Sequence, residues 1–204
     1  GAMTRLRHKH PQVRVRLHDD YGQNIIERLD NGLADFGVLV QPTDMSRYDF
    51  LPLPTGDPMG LLMRYDHPLA TRESIHPKDL ADVPVIVPQG VLNRRDLSGW
   101  YKSGNKELNI VGTMNLLYNA SCFVQEGYGC AICLQGLVDT SWESGLVFQP
   151  LDPPMQTHLA IAWKKSQPPT PAADAFLTEL RSVIADINRD NKESVPSPRN
   201  GAQR

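Results

Sequence analysis

The residues best placed to do chemistry are Thr113 and Asn115, which follow the apolar run Ile110-Val111 and open a helical pattern. The first turn of a helix leaves backbone N–H groups without partners, and such donors suit a carboxylate or another anion. Thr113 would either touch that ligand or cap the helix, and Asn115 would either touch it or occupy the exposed first turn. Pro88 and Gln89 leave another apolar run at its carboxyl end, with Asn93 and Arg94 close behind. Gln89 offers an amide contact, and Arg94 would balance an acidic ligand or simply face solvent. Gln135 stands where the run Cys130–Leu134 ends. Elsewhere Asp19, Asp20 and Tyr21 fill a second strand-to-helix turn, where Asp20 would cap the helix or line the ligand side.

These groups describe binding, not catalysis. Asp19 and Asp20 are adjacent and would point differently, and the histidines are scattered. No GxSxG, HExxH, P-loop or GxGxxG occurs; Gly127-Tyr128-Gly129 lacks the remaining glycine and follows a helix where the dinucleotide motif follows a strand. No cofactor or metal site is indicated. Cys130 and Cys133 have CxxC spacing, but they lie inside an apolar strand pattern with only Cys122 beside them, which reads as buried free thiols. With 21 basic and 23 acidic residues the formal charge is -2, so this chain has no electrostatic reason to bind nucleic acid. The basic opening from Arg5 to Arg16 reads as a solvated helix end and strand face. No apolar run approaches the ~20 residues that would span a bilayer.

The elements that position these residues follow from periodicity. Val13, Val15 and Leu17 alternate with Arg14, Arg16 and His18, a strand with one polar face. A helix carrying Ile25, Ile26, Leu29 and Leu33 follows and closes near Asn31-Gly32; Asp35 to Val40 is the next strand, making a βαβ crossover. Tyr48–Leu53 reads as an edge strand, then a proline-rich bend, then a strand at Gly60–Met63. A short helix at 75–81, a strand at Val85–Val87 and a helix at 92–101 come next. Met114, Leu117, Ala120, Ser121, Val124 and Tyr128 trace the helix of a strand–helix–strand unit ending in Cys130–Leu134. Strands at Leu146–Phe148 and His158–Trp163 precede a final amphipathic helix from Ala173 to Ile187. The polar tail beyond residue 190 has nothing to bury. Short strands separated by helices argue for an α/β fold with a mostly parallel sheet covered on both faces. Two proline-marked crossings, near Pro54-Thr55-Gly56 and Pro154-Met155-Gln156, set off a second lobe, and the cleft between lobes becomes the pocket.

Several stretches together resemble the effector-binding domain of LysR-type transcriptional regulators. They are His10-Pro11-Gln12-Val13-Arg14-Val15, Gly32-Leu33-Ala34-Asp35-Phe36-Gly37, Asp66-His67-Pro68-Leu69-Ala70, Leu80-Ala81-Asp82-Val83-Pro84 and Glu126-Gly127-Tyr128-Gly129-Cys130. Ala172 to Leu177 resembles the closing helix, so the likeness runs from about residue 5 to 188. The resemblance implies a type 2 periplasmic-binding-like fold, two Rossmann-like lobes joined by two crossover segments. Lobe I would hold residues 1–56 and 157–190, lobe II residues 57–156, and 191–204 would form a disordered tail. It further implies a cytoplasmic sensor whose cleft takes a small-molecule effector, a homodimer that is often a tetramer at full length, and DNA contact only through a winged-helix domain absent from this sequence. The family's opening strand is also expected to be missing, which would remove a central strand and one wall of the pocket. Alternative readings are an extracytoplasmic small-solute-binding protein of the same fold, or a purely structural oligomerisation module.

Overall fold

A computed structural model describes residues 1–90, 99–101 and 108–193. Four helices are used below: α1 (Ala2–Lys9), α2 (Gly22–Asp30), α3 (Leu117–Gln125) and α4 (Pro171–Glu193). The strands are β1 (Gly37–Val40), β2 (Tyr48–Arg64), β3 (Val85–Pro88), β4 (Ile110–Met114), β5 (Cys130–Leu134), β6 (Leu146–Pro150) and β7 (Gln156–Lys164). Short 3-10 turns cover Pro77–Leu80 and Trp142–Ser144. The helix expected at 92–101 lies mostly outside the described residues, as does the tail from 194 onward; α4 itself continues past residue 190 to Glu193.

The sheet runs β1-β7-β2-β5-β3-β4, with β6 also paired to β2. Among the described strands β5, β3 and β4 are parallel; β1 with β7, β7 with β2, and β2 with β5 and β6 are antiparallel. The expectation of a mostly parallel sheet is corrected here. β2 and β7 cross the molecule in opposite directions, and the ladder at each end of the pair closes on them antiparallel. The edge strand and separate strand read from Tyr48 to Met63 are likewise one 17-residue element, interior to the sheet. Its prolines do not end it, because the ladder with β7 shifts register between Pro52 and Gly56 and so absorbs donors that proline lacks.

Alternation along the strands sorts the core. Leu61, Met63, Val85, Val87, Cys130 and Ile132 face one buried cluster, while Leu62, Ile86, Ala131 and Cys133 face a second beneath α3, with Leu117, Ala120 and Val124. Toward the other end of β2 and β7, Ile161 packs with Leu6, Phe176 and Leu180 of α1 and α4; Leu39, Tyr48 and Ala162 pack with Leu29 of α2. Both faces of the sheet are therefore covered, as expected.

One expected strand does not form. Residues 13–20 form no helix or strand and join no ladder, and Val15 and Leu17 are 50% and 87% exposed. Among the described residues β1 pairs only with β7, and none of them pairs with its outer edge. The alternating pattern is real, but a strand needs a neighbour for its N–H and C=O groups, and no described strand stands between this segment and β1.

Candidate functional site

The parallel strands β3, β4 and β5 end together at Pro88, Met114 and Leu134. That end faces the crossing, because Leu134 pairs with Met59 and the Gln135 N–H donates to the Pro58 carbonyl at 2.9 Å. From the other side, β1 ends at Val40 opposite Leu159, and the Gln41 N–H donates to the His158 carbonyl at 2.8 Å. Strand ends of the two halves thus meet at the Gly56–Pro58 and Gln156–His158 crossing. In open α/β sheets, ligands bind beyond the carboxyl ends of the strands.

Pro88, Gln89, Thr113 and Asn115 gather there. Val87 stands opposite Thr113 and Pro88 opposite Met114, and the Gln89 N–H donates to the Met114 carbonyl at 2.9 Å. The side chains of Gln89, Thr113 and Asn115 are exposed. Thr113 is not a cap: it lies within β4, Asn115 precedes the helix, and Leu116 is the N-cap without any side-chain hydrogen bond. The helix starts later than its sequence pattern because β4 holds Met114 in the ladder. Among the described residues nothing accepts from the N–H groups of Leu117, Tyr118 and Asn119, so three donors at the start of α3 remain for a ligand or water. Gln135 lies exposed beside the crossing.

Asp20 and Tyr21 belong to the other half, at the start of α2. Tyr21 is the N-cap by its backbone, and Asp20 stands just before it. The Asp20 carboxylate accepts from the Tyr21 N–H and from Asn24 Nδ2, both at 2.9 Å, with His18 Nε2 at 3.7 Å. The Asn24 hydrogen bond, then the Tyr21 N–H, hold its carboxyl below the ordinary aspartate value. These bonds tie Asp20 to the start of α2. Asn93 and Arg94 lie outside the described residues.

The topology adds groups that sequence reasoning passed over. Thr43 Oγ1 donates to the Val40 carbonyl at 2.6 Å, so Gln41-Pro42-Thr43 forms a polar turn at the carboxyl end of β1. Thr157 is 4% exposed on β7, and His158 packs over Gly56, where an added Cβ would come within 3.2 Å of the imidazole. A polar turn following an apolar strand was a readable signal for Gln41 and Thr43; Thr157 and His158 had none, because only the β2–β7 register brings them to the crossing.

Cys130 and Cys133 are free and buried, on opposite faces of β5, and burial pushes their thiols up to about 11 and about 12. Among the described residues no cluster of His, Cys, Asp or Glu could hold a metal ion, and no helix is long and apolar enough to cross a membrane. A cavity of about 20 Å³ between Phe36, Trp163 and Pro169 has room for a single water.

A mixed sheet crossed twice by the chain, with converging strand ends, is the type 2 periplasmic-binding-like architecture. The LysR substrate binding domain model matches residues 1–185, and the chain belongs to that family. It is 26% identical over 183 residues to the Bacillus subtilis protein named uncharacterized HTH-type transcriptional regulator YvbU, covering 89% of this chain and 61% of that one. It is 26% identical over 193 residues to the Escherichia coli regulator YbhD, covering 93% of this chain and 60% of that one. This chain thus spans about three fifths of the length of the curated relatives it matches. Among solved structures, the regulatory domain of CcmR from Synechocystis PCC6803, in complex with 2-PG, superposes with a TM-score of 0.77 at 20% identity, covering 91% of this chain and 90% of that one. The effector binding domain of QuiR in complex with shikimate gives a TM-score of 0.77 at 18% identity, covering 91% and 89%. At these identities the likeness establishes the fold.

Proposed function

We propose that this chain is the ligand-sensing domain of a cytoplasmic transcriptional regulator and carries no catalysis of its own. A small metabolite binds between lobe I (1–56 and 157–190) and lobe II (57–156) and biases how the full-length oligomer engages DNA through a winged-helix domain. The observation that carries this reading is the set of unspent donors at the start of α3, with Thr113 and Gln89 beside them at the end facing the crossing. Such donors favour an effector with a carboxylate or another oxygen-rich group at that end. β2 and β7 serve as the hinge on which the lobes adjust. The full-length protein pairs as a homodimer and assembles further to a tetramer. That CcmR and QuiR domains were solved with 2-PG and with shikimate supports the sensing role.

The test is native mass spectrometry of the full-length regulator with pooled cell metabolites, repeated with Thr113→Val and Asn115→Ala together. A retained small molecule that the double variant loses supports the reading. A retained molecule unaffected by the double variant moves the site away from α3. An empty protein that nevertheless stays oligomeric favours a scaffold in place of a sensor.

A further inference from the structure

Two stretches that carry the family resemblance, Asp66-His67-Pro68 and Glu126-Gly127-Tyr128-Gly129, play no part in the cleft. They meet at the opposite end of the strands, around a cavity of about 270 Å³. Buried Val124 and Cys130 line it with the rings of Pro68 and Pro84, giving it an apolar floor and sides. Its Gly127–Gly129 wall is bare backbone at both glycines. Gly129 has no room for a side chain, since a Cβ would stand 2.7 Å from the Pro84 carbonyl oxygen.

The polar groups at the rim are already organised. Arg64 grips Asp66 through Nε at 2.8 Å and Nη2 at 2.6 Å, and its Nη1 donates to the Gln125 carbonyl at 3.2 Å. Three bonds hold the guanidinium plane in place before any ligand arrives. His67 Nδ1 accepts from the Leu69 N–H at 3.2 Å, which leaves Nε2 as the protonated nitrogen. Burial lowers the His67 pKa, against the opposing pull of Asp66, and so favours the neutral ring. Among the described residues neither His67 Nε2 nor the Gly129 N–H has an acceptor. Asp66 cancels the Arg64 charge, and Glu126 adds a negative charge nearby. An anion entering here would lose hydration without a free cation to replace it.

We propose that this cavity is a second small-molecule site, separate from the cleft, taking a planar uncharged ring that bears a carbonyl or carboxamide. The ring lies on the proline and valine walls, and its carbonyl oxygen accepts from His67 Nε2–H or the Gly129 N–H. The probes are nicotinamide and its isosteric anion nicotinate, titrated into isotope-labelled protein and followed by amide and methyl NMR shifts. Nicotinamide should move the Gly129 amide and the Val124 methyls while Gln89, Thr113 and Asn115 stay still, and nicotinate should bind at least about tenfold more weakly. Pro68→Tyr, at an exposed rim position, should weaken nicotinamide by at least about tenfold; His67→Phe fills the space from another wall if that variant fails to fold. No Gly129 shift at the solubility limit, nicotinate binding as tightly as nicotinamide, or full affinity in the filled variant would each overturn the proposal.

Discussion

Tyr48→Phe probes the lock between α2 and β2. Tyr48 is 1% exposed, and its Oη donates to Asp30 Oδ1 at 2.6 Å. Arg47 Nη1 holds the other carboxylate oxygen at 2.8 Å, and Lys164 Nζ donates to the Asp30 backbone carbonyl at 2.7 Å. A hydrogen bond to a charged partner contributes about 1.5–3 kcal/mol. Asp30 keeps Arg47 and some solvent after the substitution, so the cost belongs at the low end, about 1.5–2 kcal/mol, or a fall in Tm of about 5 °C. The pH dependence separates this bond from mere packing. Burial first, then the Asp30 bond, push the Tyr48 hydroxyl up to about 12. An acid whose folded pKa is raised favours folding while it stays protonated. The advantage of Tyr over Phe is therefore complete below about pH 10 and is lost as pH climbs through about 12. Urea unfolding of both proteins, followed by circular dichroism near pH 8 and at stepped pH above 10, reads the difference directly. A cost below about 0.5 kcal/mol at the lower pH, or a gap that stays constant or widens with pH, would refute the reasoning.

Three further perturbations have definite outcomes. In folded protein a thiol reagent such as DTNB should titrate the exposed Cys122 promptly and reach buried Cys130 and Cys133 only after denaturation, since burial keeps both of those thiols protonated. Gly60→Ala should cost about 1–3 kcal/mol in urea melts, because a methyl there runs into the Phe148 ring and the Gln149 carbonyl and must part β2 from β6. Val15→Ser and Leu17→Ser should each change stability by less than about 0.5 kcal/mol, since both side chains are exposed and their segment joins no ladder; a larger loss would mean that the segment is packed in solution.

By itself the sequence determined the elements whose signal is local. Three- and four-residue spacing placed α2, α3 and α4, and Asn31-Gly32 closed α2, with Gly32 at φ 66. The runs at Val85–Val87 and Cys130–Leu134 became β3 and β5, and the order of short stretches from His10 to Leu177 was enough to place the family. The tertiary structure decided whatever depends on a distant partner. It kept β2 in one piece through its prolines, because β7 supplies a ladder that can shift register at Pro52. It left Val13–Leu17 outside every described ladder despite faultless alternation. It placed Thr113 in β4 opposite Val87, which removes the cap among its two sequence readings, and it brought Gln41, Thr43 and Thr157 to the crossing. Periodicity records which face of a segment is apolar, whereas a strand exists only when another segment, often a hundred residues away, offers its N–H and C=O groups at the right height.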